Sequence, residues 1–154
     1  MKRIIPYLVI ITFIWLGFVL AISFMEAPLK FKAPSVTMAI GVDIGRLVFG
    51  ALNKVEIVFS LAYLFGIRYY YIIEKRIGYI MLVILVIVLI QTVYLLPVLD
   101  KYALLVISGK ESPSSIPHIV YVVFEIGKIV LLALIGYKQL LVFRNVGKKR
   151  IYQH

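Results

Sequence analysis

Cysteine is absent from this 154-residue chain, and histidine is confined to His118 and the C-terminal His154. Without thiols there is no disulfide, no thiolate metal site, no iron–sulfur cluster and no cysteine-based redox chemistry. Two histidines, one of them terminal, leave no internal pair to ligate a haem. Charge is scarce as well: 16% of residues are charged against 63% hydrophobic, where a soluble domain is nearer half apolar. Long polar, Gly/Ser-rich or Pro-rich stretches are missing, which excludes a disordered tail or a two-domain soluble enzyme. The length fits one domain, residues 1–154. A small integral membrane protein remains.

What is present are four apolar segments of the length that crosses a hydrocarbon core. They lie at about 4–25, 39–67, 77–99 and 117–143. The third contains IMLVILVIVLI, the most lipid-like run in the chain. Backbone groups in hydrocarbon must be satisfied internally, so the segments are predicted to be helices. The expected fold is all-α, a four-helix transmembrane bundle. The stretch Met1-Lys2-Arg3, an apolar run and Ala21-Ile22-Ser23 has the outline of a cleaved signal, but the run is longer than a signal core.

Orientation follows from the basic residues in short loops. One side holds Lys2, Arg3, Arg68, Lys75, Arg76, Lys138, Arg144, Lys148, Lys149 and Arg150; the other holds Lys30, Lys32, Lys101 and Lys110. This asymmetry accounts for much of the net charge of +10. It places both termini in the cytoplasm, with a bacterial inner membrane as the expected location. Tyr7, Tyr69, Tyr70, Tyr71, Tyr79 and Tyr137 are expected to form an aromatic belt on that side. The basic tail reads as an anchor on anionic lipid; no nucleic-acid partner is expected.

The polar exceptions carry the functional signal, because a charge near the bilayer centre costs about 2.5–3.5 kcal/mol on insertion scales. The second segment carries Asp43, Arg46, Asn53, Lys54 and Glu56; the fourth carries His118, Tyr121, Glu125 and Lys128. Asp43, Arg46, Gly50 and Asn53 follow the spacing of one helix face, with Glu56 at its edge and Lys54 on the other flank. His118, Tyr121, Glu125 and Lys128 repeat the pattern. Three acids (Asp43, Glu56, Glu125) and three bases (Arg46, Lys54, Lys128) suggest mutual pairing. Counting back from Ile67 puts these groups in the outer half of the membrane, joined by Ser23, Gln91, Thr92 and Tyr94. The inner halves read as an apolar plug. Residues 26–38, with Glu26, Lys30 and Lys32, read as a rigid connector or as a lid over an outward-facing cavity, and the two Ala-Pro pairs disfavour regular helix there. Ser35 or Thr37 is placed to cap the second helix.

Three functions fit. One is a non-enzymatic protein that binds or passes a small charged solute or protons. In it Arg46 and Lys128 hold an anion, Glu56 and Glu125 balance charge, and His118 senses pH. Another is a structural subunit of a homo-oligomer or larger membrane complex, with the ion pairs as glue. No cofactor or metal is expected. Met25, Met38 and His118 would suit copper by ligand type, but nothing in the sequence draws them together. Gly109-Lys110 lacks the upstream glycine and strand of a phosphate loop.

The third function comes from resemblance. Trp15-Leu16-Gly17, Phe24-Met25-Glu26-Ala27-Pro28, Lys30-Phe31, Ala33-Pro34, Gly45-Arg46-Leu47-Val48-Phe49 and Ala51-Leu52-Asn53-Lys54-Val55-Glu56 resemble a family of small four-helix bacterial inner-membrane proteins of unknown function. The spacing of Arg46, Asn53 and Glu56, R-x6-N-x2-E, is similar to the second-helix signature of the MAPEG family. That resemblance implies a trimeric, glutathione-dependent membrane transferase with these three residues on the thiol cofactor. The chain departs from the pattern where Gly45 stands in place of a glutamate, where Glu125 and Lys128 replace the arginines of the fourth helix, and in the outward placement of the cluster.

Overall fold

The computed structural model describes residues 4–151, and the side chains of residues 4–145. Lys2, Arg3 and His154 fall outside the described residues, as do the side chains of Lys148, Lys149 and Arg150. Four helices account for nearly all of the rest: α1 (Ile5–Lys32), α2 (Met38–Ile73), α3 (Lys75–Ile107) and α4 (Ile116–Ile151). All four contain stretches long and apolar enough to cross a membrane.

Local chemistry sets the ends. Pro6 stands in the first turn of α1, where its missing N–H costs nothing. Thr37 caps α2: its hydroxyl oxygen accepts from the Ile40 amide at 3.3 Å. Glu74 alone, with φ −149° and ψ 90°, breaks the chain between α2 and α3. Gly109 ends α3 at φ 80°. The Lys110 amide returns to the Leu105 carbonyl and the Gly109 amide to that of Val106, both at 3.0 Å. This is a Schellman cap, which needs a residue at ease with positive φ.

Each helix runs past its expected end, and α1 extends through Ala27-Pro28 to Lys32. The local device is a π-turn over Ala21–Glu26, just before Pro28. A second π-turn, Gln91–Leu95, precedes Pro97 in α3. Proline removes one amide and crowds the carbonyl four residues back. A wider turn at that point lets the helix continue. Pro28 and Pro97 thus bulge their helices rather than ending them.

Short connections make sequential helices antiparallel neighbours, and α4 returns beside α1 to close the ring. The core runs along the axis from Ile5, Leu8, Trp15 and Val19 through Tyr63, Tyr70, Ile77, Met81, Ile84, Val88, Leu132 and Ile135. Small residues bring the helices close: a Cβ at Gly136 would lie 2.9 Å from the Phe13 ring. The outer surface carries exposed Leu, Ile, Val and Phe side chains such as Phe65, Val93 and Leu134, which suits a lipid-facing wall.

The aromatic belt is only partly there. Tyr7, Tyr71, Tyr79 and Tyr137 are exposed, but Tyr69 and Tyr70 are buried. Because α2 continues to Ile73, Tyr63, Gly66 and Tyr70 share its inward face at i, i+3, i+7.

Candidate functional site

At the centre of the bundle Lys128 stands between two carboxylates. Its Nζ is 2.5 Å from Glu56 Oε1 and 2.8 Å from Glu125 Oε1. All three side chains are at most 2% exposed. Glu125 and Lys128 are one turn apart on α4, whereas Glu56 reaches across from α2. The two remaining helices complete the cluster. From α1, Trp15 Nε1 donates to Glu56 Oε1 at 2.9 Å and Ser23 Oγ donates to Glu125 Oε2 at 2.9 Å. From α3, Gln91 Nε2 donates to Glu125 Oε1 at 2.8 Å. Ser23 and Gln91 both lie in the π-turns. Glu125 therefore accepts one hydrogen bond on each oxygen and also pairs with the Lys128 ammonium through Oε1. Glu56 uses only Oε1; its Oε2, like Gln91 Oε1 and the Tyr121 hydroxyl, is buried without a hydrogen-bond partner among the described residues.

Toward the end bearing the two inter-helix loops 33–37 and 108–115, the bundle opens into a cavity of about 1030 Å³. Arg46, Asn53 and Gly50 of α2, Thr92 and Asp100 of α3, and His118 of α4 are among the residues lining it. Apolar side chains, including Phe49, Leu96 and Val106, make up much of the wall. Arg46 is held by Asp43 (Nη2 to Oδ1, 3.0 Å) and by Asp100 (Nη1 to Oδ1, 3.3 Å). Asn53 Nδ2 donates to Thr92 Oγ1 at 2.8 Å, fixing the cavity floor one turn above Glu56. A separate pocket of about 90 Å³ lies between Ser23, His118, Tyr121 and Glu125.

The tail of α1 covers part of the cavity. Lys30 folds inward, with its side chain 8% exposed, and pairs with Glu26 at 3.3 Å. Its ammonium sits 5.4 Å from the Phe49 ring centre. Glycines on α2 permit this approach: a Cβ at Gly45 would stand 2.8 Å from Lys30 Nζ, and one at Gly41 would strike the Phe31 ring. Lys32 points out to the surface. Where the glutathione-type pattern has a glutamate, Gly45 here makes room for Lys30.

Several expected placements change. Asp43 and Arg46 pair as neighbours, but their third partner is Asp100 rather than a group of the buried cluster. Lys54 is exposed on the outer surface of α2 and makes no ion pair among the described residues. The count of three acids and three bases was therefore a coincidence of composition. Lys128 is fully engaged below the cavity, so it does not line the solute space with Arg46. His118 is exposed at the cavity rim. Glu56, absent from the cavity lining, lies beneath Arg46 and Asn53, so the three residues of the R-x6-N-x2-E spacing do not face one space.

The buried cluster also sits at the middle of the helices, not in one half. Glu56 is central in Met38–Ile73 and Gln91 central in Lys75–Ile107. The half toward the termini is not an apolar plug. There Thr12 Oγ1 is 2.8 Å from the Tyr63 hydroxyl, from Gln139 Oε1 and from the Leu8 carbonyl. The buried hydroxyls of Ser60 and Tyr70 extend this polar thread along α2. A tyrosine or threonine in a membrane segment reads as packing, so the thread escaped the sequence reading. Trp15 escaped for the same reason; the available signal was its indole N–H, a lone donor in an apolar run.

Four membrane-spanning helices around a buried carboxylate–ammonium–carboxylate cluster define an integral membrane protein with internal ion pairs. Comparison with known protein families, with curated proteins and with solved structures finds no match for this chain.

Proposed function

We propose that this protein binds a small solute, one bearing an acidic group and an apolar portion, in the cavity beside Arg46. The single observation that carries this reading is the cavity itself, about 1030 Å³ with Arg46 on a largely apolar wall. Pockets of this size and lining suit small ligands held by a few polar groups. Arg46 offers a planar fork to a carboxylate or phosphate, in exchange for part of its contact with Asp100. Lys30, under the α1 tail, adds a second cation, so the 26–32 segment serves as a lid. The basic residues near the terminal end (Arg68, Lys75, Arg76, Lys138, Arg144) support a cytoplasmic placement of both termini. The cavity then opens to the outside of a bacterial inner membrane. No chemical step is assigned; the protein is read as a binder or carrier rather than an enzyme, without cofactor or metal.

One observation favours a second reading, as a subunit of a homo-oligomer or larger membrane complex. Lys54 is exposed close to the middle of α2, where an unpartnered ammonium facing lipid is costly. A neighbouring chain with an acidic group would relieve it.

Native mass spectrometry of the protein released from its own membrane tests both. Wild type is compared with Arg46→Ala and with Gly50→Leu, which fills the cavity at a position where a Cβ meets nothing within 4 Å. A small ligand on wild type, lost from both variants, supports the binding reading and identifies the solute. A trimer carrying glutathione would support the MAPEG-like transferase instead. Co-purifying chains without ligand would favour the assembly subunit.

A further inference from the structure

Two carboxylates share one ammonium at the centre of the bundle. If all three groups are ionised, the cluster carries one net negative charge in a place where an unbalanced charge is expensive. The groups packed around it do not supply the missing positive charge. From α1 come Trp15 and Ser23, and from α3 comes Gln91, all neutral. From α4, besides Glu125 and Lys128, come the Tyr121 hydroxyl and, across the small adjoining pocket, the exposed His118; along α2 come Asn53 and Ser60. Arg46 is engaged by Asp43 and Asp100, and Lys54 faces outward.

We propose that the Glu56–Lys128–Glu125 cluster is a proton-binding site that holds one exchangeable proton. The hydrogen bonds distribute the roles. Glu125 accepts from Ser23 and Gln91, pairs with the Lys128 ammonium, and needs no proton of its own. Glu56 has one oxygen, Oε2, with no donor aimed at it among the described residues, while the residue is 0% exposed. The proton rests there. In the loaded state Glu56 is a neutral acid, Glu125 and Lys128 form a balanced pair, and the cluster has no net charge. Release of the proton leaves a charge of minus one.

The route of entry is the small pocket between His118 and Glu125. Its volume of about 90 Å³ is several times the ~10–15 Å³ that a single water requires. Its wall is largely apolar (Phe24, Ala27, Phe49, Val122), and Ser23, Tyr121, His118 and Glu125 supply the polar groups that a water there would bind. A proton arriving at Glu125 passes inward through Lys128. The ammonium gives a proton to Glu56 and takes the new one from Glu125, so Lys128 stays charged and Glu125 returns to carboxylate. The site does not depend on what the large cavity binds.

Infrared spectroscopy of the full-length protein in lipid nanodiscs at neutral pH tests this, because a buried protonated carboxyl has its own C=O band. Wild type should show one such band, and it should shift in heavy water. Charge balance then predicts the outcome for three variants. Glu56→Gln loses the band. Glu125→Gln also loses it, since Glu56 and Lys128 alone are balanced. Lys128→Met gains a second band, since two acids now lack their cation. Circular dichroism confirms the helix content of each variant, and the wild-type band with its isotope shift needs no variant. Val122→Phe, which narrows the pocket, slows the isotope shift. Absence of the band in folded wild type, or a band unchanged by both glutamine substitutions, overturns the proposal. So does a band that appears only when sodium is withdrawn, which would assign the site to a metal cation.

Discussion

Ser23 of α1 and Gln91 of α3 take hold of opposite oxygens of Glu125, at 2.9 and 2.8 Å, and each does so from a π-turn that ends just before a proline. The coincidence has a physical basis. Pro28 and Pro97 both require a loosened helical ladder on their N-terminal side. The loosened turn widens the helix and swings a polar side chain toward the axis. One carboxylate is thereby fixed by two helices that it does not belong to.

Removing these donors should have a graded effect. Hydrogen bonds between membrane helices average ~0.6 kcal/mol and reach ~1.7 kcal/mol. Ser23→Ala is expected near the lower figure, because Ser23 is half-buried. Gln91→Leu is expected near the upper one, because Gln91 is fully buried. Reversible unfolding in bicelles measures both. Equal losses would reject the dependence on burial, and no loss from either would show that Glu125 is held by Lys128 alone.

Lys128 should be the most sensitive position in the molecule. Glu56→Gln leaves a balanced Glu125–Lys128 pair, and Glu125→Gln leaves a balanced Glu56–Lys128 pair. Lys128→Met strands two acids, and breaking a buried pair typically costs ~3–5 kcal/mol. Adding Glu56→Gln and Glu125→Gln to Lys128→Met should restore much of that loss. A triple variant as unstable as the single one would remove charge from the explanation. The unfolding assay used for Ser23 and Gln91 decides this.

The chain has no cysteine, so single introduced thiols report topology cleanly. Ser112→Cys, in the exposed loop 108–115 at the cavity end, should react with a membrane-impermeant maleimide in intact cells. Arg144→Cys, exposed near the end of α4, should react only after the membrane is opened. The reverse pattern would turn the cavity toward the cytoplasm.

The lid depends on Gly41. Its absent side chain is filled by the Phe31 ring, so Gly41→Val should push the α1 tail off the cavity. Labelling of an Asn53→Cys thiol on the cavity floor should then quicken several-fold relative to the same thiol with Gly41 intact. An unchanged rate would mean that residues 26–32 do not gate the cavity.

The four helices were legible because their signal is one-dimensional: an apolar run of sufficient length, bounded by charge. Their ends were not, since Asp100 lies inside α3 and is steadied there by Arg46 of another helix. The i, i+3 relation of Glu125 and Lys128 was readable from spacing, and the cap of α2 was readable as Ser35 or Thr37, of which the packed helix uses Thr37. The bond from Lys128 to Glu56 was not. It crosses the bundle diagonally, and only the packing of four helices decides which face of α2 meets α4. Lys54 and Glu56 are two residues apart, and spacing alone placed both near the polar stripe. The packed bundle sends one to the surface and the other to the axis. Pro28 was read as disfavouring helix and Pro97 lay unremarked inside the third segment; neither signalled a bulge, because proline's effect depends on whether the preceding turn can widen.

Trp15 is the chain's single tryptophan. Its indole N–H touches Glu56, and its ring lies 5.1 Å from that of Tyr63. All of the protein's tryptophan fluorescence therefore originates beside the one side chain whose charge is in question. The molecule carries its own optical voltmeter, and a change in ionisation at Glu56 can be followed by emission colour without attaching any dye.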